Sequence, residues 1–352
     1  MAKYLILLIS LLIFYELTSA ENVQITTNGG YHARFSPDDS KIAFTDSWNG
    51  EPNLFIVDAD GSNLTHIETG LSGDYHLCWH PDGTKIYFDA RHPSTGVGHI
   101  YSIPPAGGTP TMLSILPFGG QIEPNCSPDG TKISFLSSGI AYAPINGGTK
   151  VPITSISMSY DWHCWSPDGT KISYCAAVGD WTDNNFDIYT IPIEGGTPLK
   201  LTTNTSKDVC PAWSPDGENI VFASDRAGNG NMDLWMIPSK GGTAVQLTDY
   251  PGNEHFPHWS HDGRKIIYAR YGVEIGLWVL DSPFSEPLCG DTDDSGKIDI
   301  LDIVFLINFK YKDGPAPEPI SIGDTDGSFE IDILDIVYLI NFKYKDGPEP
   351  IC

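Results

Sequence analysis

Short stretches of alternating apolar and polar residues recur along most of this chain, and each begins at the same point of a repeated motif. Lys41-Ile42-Ala43-Phe44 follows Ser36-Pro37-Asp38-Asp39, and Lys171-Ile172-Ser173-Tyr174 follows Ser166-Pro167-Asp168-Gly169-Thr170. A period of two is that of a strand. Pro presets φ, and Asp and Gly accept tight or left-handed positions, so the motif predicts a hairpin turn between two strands. Further copies are His80-Pro81-Asp82-Gly83, Ser127-Pro128-Asp129-Gly130, Ser214-Pro215-Asp216-Gly217 and Ser260-His261-Asp262-Gly263. The six aspartates are separated by 44, 47, 39, 48 and 46 residues. A third apolar run follows each hairpin, as at Leu54-Phe55-Ile56-Val57 or Leu234-Trp235-Met236-Ile237. Gly-Gly-Thr turns, as at Gly195-Gly196-Thr197 and Gly241-Gly242-Thr243, then lead to a short fourth strand. Four strands in a repeat of this length are the mark of a propeller blade, and six motifs predict six blades.

Blade six runs from its third strand near Gly276 to Leu280 straight into Pro283 and Pro287, with no fourth strand of its own. Asn22-Val23-Gln24-Ile25-Thr26 resembles the strand ends at Leu201-Thr202 and Leu247-Thr248, so it is expected to supply that strand and close the ring. Closure removes the exposed edges that template aggregation. Trp79, Trp165, Trp213 and Trp259 stand three residues before the motif aspartate, with Phe35 and Cys126 in the same register. That regular phase predicts packing between blades. Pro211-Ala212-Trp213-Ser214-Pro215-Asp216-Gly217 and Pro257-His258-Trp259-Ser260-His261-Asp262-Gly263 resemble the repeat of the TolB-like, WD-repeat-like bacterial propellers. The resemblance covers about residues 22–282 and implies the fold; propellers host unrelated activities. The sialidase Asp-box needs an aromatic shortly after its glycine, where this chain has Thr-Lys-Ile in most copies.

A second repeat, with a period of 33, follows the proline-rich stretch 283–289. Gly290-Asp291-Thr292-Asp293-Asp294-Ser295-Gly296-Lys297-Ile298-Asp299-Ile300-Leu301-Asp302 is matched by Gly323-Asp324-Thr325-Asp326-Gly327-Ser328-Phe329-Glu330-Ile331-Asp332-Ile333-Leu334-Asp335. Each copy runs into an apolar helix pattern stopped by Gly and Pro. Oxygen ligands at loop positions 1, 3, 5, 7, 9 and 12 are the EF-hand arrangement for calcium. The first loop then offers Asp291, Asp293, Ser295, the Lys297 carbonyl, Asp299 and Asp302; the second offers Asp324, Asp326, Ser328, the Glu330 carbonyl, Asp332 and Asp335. Two calcium ions are expected. A calcium loop followed by one helix, in duplicate, resembles a dockerin over residues 290–352. That resemblance implies docking to a cohesin-like scaffold through Ile300, Leu301, Ile333 and Leu334, unless these residues only pack the helices. Cys289 and Cys352 bracket the repeat pair, whose near-symmetry predicts a disulfide clasp between them.

Composition adds a compartment and excludes some partners. Lys3, an apolar run from Tyr4 to Tyr15 and the small residues Thr18-Ser19-Ala20 predict a signal peptide over residues 1–20. The run is shorter than the ~20 residues of a membrane span. A secreted or surface-associated protein with no membrane insertion is expected, its propeller spanning 21–282. The formal net charge of −25 argues against nucleic acid. Export permits disulfides. Cys164 and Cys175 are read as symmetric about the Asp168-Gly169 turn and able to bond, and Cys78, Cys126 and Cys210 as small buried residues.

The segments entering each inner strand are rich in ligating side chains: His32, Asp74, His76, Glu123, Asp161, His163, Asp208, Glu254 and His255. Strand starts face the central channel of a propeller at one end, so these groups are expected to converge. They read as a polar, hydrated mouth, as a divalent-metal or small-ligand site, or as a catalytic site. The phase is uneven, since His32, His76 and Glu123 lie six residues before their aspartates, His163 five and His255 seven. Oligogalacturonate lyases are built on similar propellers with histidine-held metal. No Gly-x-Ser-x-Gly elbow or phosphate-binding glycine loop is present. The expectation is an exported adaptor with a carbohydrate- or protein-binding propeller and a calcium-dependent docking tail in extracellular polysaccharide breakdown. A metal-dependent polysaccharide lyase or glycoside hydrolase is the alternative.

Overall fold

In a computed structural model the chain divides into two compact units, residues 1–282 and 283–352. The residues described are 22–27, 29–48, 51–73, 76–116, 120–154, 159–177, 185–283, 292, 298, 300–312, 314–317, 323–325, 331–345 and 350. The expected signal peptide, linker residues 284–289 and the Cys289–Cys352 clasp lie outside them.

The first unit carries six four-stranded antiparallel sheets, the six blades that the motif count predicts. In blade 1 the strands are Tyr31–Phe35, Lys41–Trp48, Glu51–Asp58 and Thr65–Ile67; blade 5 repeats the order with Asp208–Trp213, Asn219–Ser224, Asp233–Pro238 and Val245–Gln246. The strand before each motif is innermost, and each inner strand touches those of the two neighbouring blades, around the full ring. Blade 6 has Asn253–Trp259, Lys265–Tyr271 and Gly276–Asp281, and Val23–Gln24 completes it. Val23 pairs with Val279 and Gln24 with Trp278. The Ile25 amide donates to the Leu277 carbonyl at 2.8 Å, and the Leu277 amide to Thr26 Oγ1 at 2.8 Å. A small parallel pair, Ile115–Leu116 with Gly148–Thr149, sits outside this scheme and has no sequence signal.

Strand alternation places the core between blades. Ile42 and Phe44 pack with Ile267 and Val279 of blade 6, whereas Ala43 packs with Trp79 and Phe88 of blade 2. Trp165 sits likewise between blades 3 and 4, against Leu136 and Ile140. Its indole N–H donates to the Asn125 carbonyl of blade 3 at 3.1 Å, and that of Trp79 to the Arg34 carbonyl of blade 1 at 3.2 Å. Blade 3 has Cys126 in place of tryptophan, and its Sγ approaches Cys78 Sγ of blade 2 to 2.8 Å, so a thiol contact takes the indole's place. The expected Cys164–Cys175 bond is overturned. Cys164 pairs with Ser173 and Cys175 with Asp161, because the hairpin axis and an irregularity between Asp161 and His163 put the cysteines out of register. Neither is in a disulfide.

The motif turn is held by its own side chains. Ser166 Oγ donates to Asp168 Oδ1 at 2.6 Å, the Thr170 amide donates to the same oxygen at 3.0 Å, and Lys171 N–H donates to Ser166 Oγ at 2.9 Å. The same Ser–Asp bond occurs at Asp38, Asp129, Asp216 and Asp262. Donated hydrogen bonds favour the carboxylate form. Bonds led by that from the Ser36 hydroxyl hold Asp38 down at about 2, and those from Thr84 hold Asp82 at about 2. Asp129 and Asp168 are lowered as well, first by their serines. The folded pKa values lie below the unfolded value of 3.8, so the stability these turns contribute is complete above pH ~4 and lost as pH falls towards 2. At face value the Asp38 shift corresponds to ~2.5 kcal/mol; solvent screening at this exposed turn reduces it to about 1 kcal/mol. Asp38→Ala is therefore expected to lower the urea midpoint at pH 6 and leave it unchanged at pH 2. An equal loss at both pH values would contradict the assignment.

In the second unit, α1 (Ile300–Lys312) and α2 (Ile333–Lys345) pack through Ile303, Leu306, Ile336 and Leu339. The two copies bond alike. Thr292 N–H donates to Asp302 Oδ1 and Thr325 N–H to Asp335 Oδ1, each at 2.7 Å. Asp332 caps α2, its Oδ1 accepting from the Leu334 amide at 2.6 Å.

Candidate functional site

The propeller channel has two dissimilar ends. At the strand-entry end, the residue six before the motif aspartate sits on a β-bulge in five of the six blades, blade 2 with His76 being the exception. His32, Glu123, Trp162, Cys210 and Phe256 all adopt a left-handed φ between 41° and 57°, with a break in strand register beside each. A bulge re-aims one side chain out of the pleat, and these side chains meet across the channel. His32 packs on His76 with ring centroids 4.4 Å apart and on Phe256 at 4.4 Å, and Phe256 packs on Trp162 at 5.2 Å. Glu123 closes the circuit, with Oε1 4.0 Å from His76 Nε2 and Oε2 accepting the Trp162 amide at 3.1 Å. His76 Nδ1 lies 3.0 Å from Asp89 Oδ1. Burial raises Glu123 to about 7, where a carboxyl can exchange a proton near neutrality.

Of the expected ligating groups, the fold therefore gathers His32, His76 and Glu123. The others with described side chains turn into the blades. His163 is buried with Nε2 2.9 Å from Ser134 Oγ, and desolvation lowers it to about 3. His255 packs on Tyr271, and burial lowers it to about 4. Asp208 binds Arg226 at 2.8 Å and Glu254 binds Arg270 at 3.3 Å. The side chains of Asp74 and Asp161 lie outside the described residues. Trp162, Cys210 and Phe256 fill the rest of the ring, and the cavity behind it holds only about 20 Å³, roughly one water. Among the described residues no three His, Cys, Asp or Glu side chains are arranged to hold a metal ion.

The larger cavity lies at the opposite end, where the motif turns converge, and encloses about 400 Å³. Trp79, Trp165, Trp213 and Trp259 line it together with the motif prolines Pro37, Pro81, Pro128, Pro167 and Pro215. The residues before the tryptophan positions, one per blade, are Arg34, Cys78, Asn125, Cys164, Ala212 and His258; Arg34, Asn125, Cys164 and His258 line both cavities and form a waist between them, with Cys78 on the larger and Ala212 on the smaller. None was singled out in the sequence as a site residue. Five residue types over six blades, with only cysteine used twice, leave no repeat to notice. Their only signal is the constant offset from the tryptophan.

In the second unit, of the positions expected to bind calcium, Asp302, Asp324, Asp332 and Asp335 are described; Asp291, Asp293, Ser295, Lys297, Asp299, Asp326, Ser328 and Glu330 lie outside the described residues. Asp302 and Asp335 are fully buried at the head of their helices. Ile300, Leu301, Ile333 and Leu334 are 51%, 56%, 50% and 56% exposed, so they do not form the helix interface.

Comparison with known proteins bears on the first unit. The TolB beta propeller domain matches residues 12–146 and 122–281. A protein TolB homolog from Chlorobium luteolum is 29% identical over 127 residues, 35% of this chain. The matches cover 26% and 38% of the length of the curated relatives. The structure of a putative TolB from Agrobacterium tumefaciens superposes with a TM-score of 0.54 at 21% identity, covering 72% of this chain and 90% of that one. An oligogalacturonate lyase from Vibrio parahaemolyticus superposes with a TM-score of 0.52 at 15% identity, covering 75% and 81%. At these identities the structural likeness carries the fold alone. With its six closed blades and a match running over residues 12–281, this chain belongs to the TolB beta propeller domain family.

Proposed function

We propose that this chain is an exported adaptor: its propeller binds a ligand in the channel, and its C-terminal unit docks, with calcium, onto a cohesin-like scaffold in extracellular polysaccharide breakdown. The observation that carries the docking half is the duplicated exposed pair Ile300-Leu301 and Ile333-Leu334. Each pair stands beside a buried aspartate that closes back on its own loop. An exposed apolar pair repeated on two matching helices suits one partner surface in either of two orientations. In the EF-hand reading, calcium is held by the loop oxygens from Asp291 to Asp302 and from Asp324 to Asp335.

A second reading, a lyase or hydrolase, is favoured by one feature, the Asp89–His76–Glu123 array, in which a buried carboxyl titrating near 7 faces an imidazole. Against it, the cavity that the described residues leave behind that array holds only about 20 Å³, too little for a sugar. One experiment separates them. The intact chain is passed over an immobilised cohesin module in calcium and in chelator, and is assayed in parallel on oligogalacturonate with manganese. The adaptor reading expects calcium-dependent capture that Leu301→Asp with Leu334→Asp abolishes, and no turnover. Turnover lost on His76→Ala would establish the enzyme instead, and capture indifferent to chelator would refute calcium-dependent docking.

A further inference from the structure

We propose that the cavity at the motif-turn end of the channel binds an organic carboxylate with an apolar or aromatic body, and that Arg34 supplies its counter-charge. The proposal rests on the reading of the propeller as a ligand-binding head and gives that ligand a chemical class.

The walls set the body of the ligand. At about 400 Å³ the space falls within the ~300–1,000 Å³ of small-molecule sites, which are mostly apolar with a few placed polar groups. Indole and proline rings are rigid, so such a wall loses little side-chain freedom when a flat apolar body lies on it.

The waist sets the charge. Arg34 lines both cavities, and its described hydrogen bond runs from Nη1 to the Ala33 carbonyl at 2.9 Å. Among the described residues no carboxylate reaches it. Arg226 and Arg270, by contrast, each hold a partner, Asp208 and Glu254. Glu123 lines the small cavity with Arg34, yet its oxygens are turned to the Trp162 amide and to His76. A partly buried guanidinium with no described carboxylate at ion-pair distance, and Glu123 acting on it only through space, keeps part of its desolvation cost unrepaid. An incoming carboxylate removes that cost through paired N–H···O bonds, for which the guanidinium fork is shaped.

A second polar contact stands beside it. His258 lines both cavities, and its Nδ1 is buried with no hydrogen-bond partner. Burial holds the imidazole neutral near pH 7, so it adds a hydrogen bond without adding charge. Asn125 donates its amide to the His163 carbonyl at 2.8 Å and presents no cation. One fixed positive charge in a chain of net charge −25 suits a monoanion over a polyanion.

The test is to titrate 4-phenylbutyrate, its neutral amide and 4-phenylbutylamine into the intact chain, read by calorimetry and tryptophan emission. A second arm uses acetyl-Gly-Phe with a free or an amidated terminus. The carboxylate of at least one arm is expected to bind at least tenfold more tightly than its amide and to shift the emission. The arm that responds tells a free acid from a peptide terminus. Arg34→Gln is expected to remove that preference at unchanged melting temperature, and Arg34→Lys to restore part of it. Binding of amide and carboxylate alike, or an undiminished preference in Arg34→Gln, overturns the carboxylate assignment and leaves a ligand-binding channel standing. Failure of every probe removes the cavity as a site. Docking by the tail is scored separately and is untouched by either result.

Discussion

Gly276→Ala is expected to unlatch the propeller and to cost about 3–5 kcal/mol, the range of severe overpacking and backbone strain. A Cβ at this position would stand 1.9 Å from the Thr26 carbonyl oxygen and 2.9 Å from its carbon, on a backbone with φ of +154°. The obstacle is main chain, so no side chain can swing aside. The closing strand must move, and with it the hydrogen bonds that join Ile25 and Thr26 to Leu277. Gly272 is the control: its φ is +92°, but nothing lies within 4 Å of the added methyl. Gly272→Ala should cost only the conformational penalty, about 1 kcal/mol. Urea unfolding of the two variants measures the difference, and matching midpoints would show that the strand closes the ring without bearing on its stability.

The second large effect is expected in the C-terminal unit. Asp302→Ala with Asp335→Ala should abolish its folding while leaving the propeller transition in place. Each carboxylate is fully buried and accepts the amide of its loop threonine, and Asp335 Oδ2 also takes the Asp332 amide at 2.6 Å. Removing either leaves buried N–H groups unpaired, at about 1–3 kcal/mol each. Under the calcium reading the same change removes the loop's last ligand. Calcium at a thousand times its dissociation constant would stabilise the unit by ~4 kcal/mol. Calorimetry of the full chain should therefore show a C-terminal transition that falls in chelator and is missing in the double variant. A chelator-insensitive transition would remove calcium from the account.

The blades were legible in the sequence because their signals are local. Asp168 and Gly169 mark a turn wherever they stand, and Lys171 to Tyr174 alternate whatever surrounds them. Even closure could be inferred, since blade six visibly lacked a strand that residues 22–26 could supply. The channel groups were harder to read because a bulge changes which face a side chain occupies. Shifting a strand by one residue flips its side chains. His32 and Glu123 stand on the bulge and reach the channel, whereas His163 and His255, one place to either side in phase, turn into the blades. The bulges leave no mark in composition, because left-handed residues there include Trp162, Cys210 and Phe256 as well as polar ones. The waist was illegible for the opposite reason. Arg34 and His258 occupy one structural position and share no chemistry, so a search for resemblance between repeats passes over them.

The latch also fixes an order of events. Its bonds join residues 251 positions apart, and a loop of that size costs about 5 kcal/mol to close on chain-entropy grounds. During synthesis, five blades can form while the closing strand at Val23–Gln24 waits for a partner that has not yet been translated. Until it emerges, the nascent protein is an open arc with unpaired margins, and the few residues behind the amino terminus decide when that vulnerable interval ends.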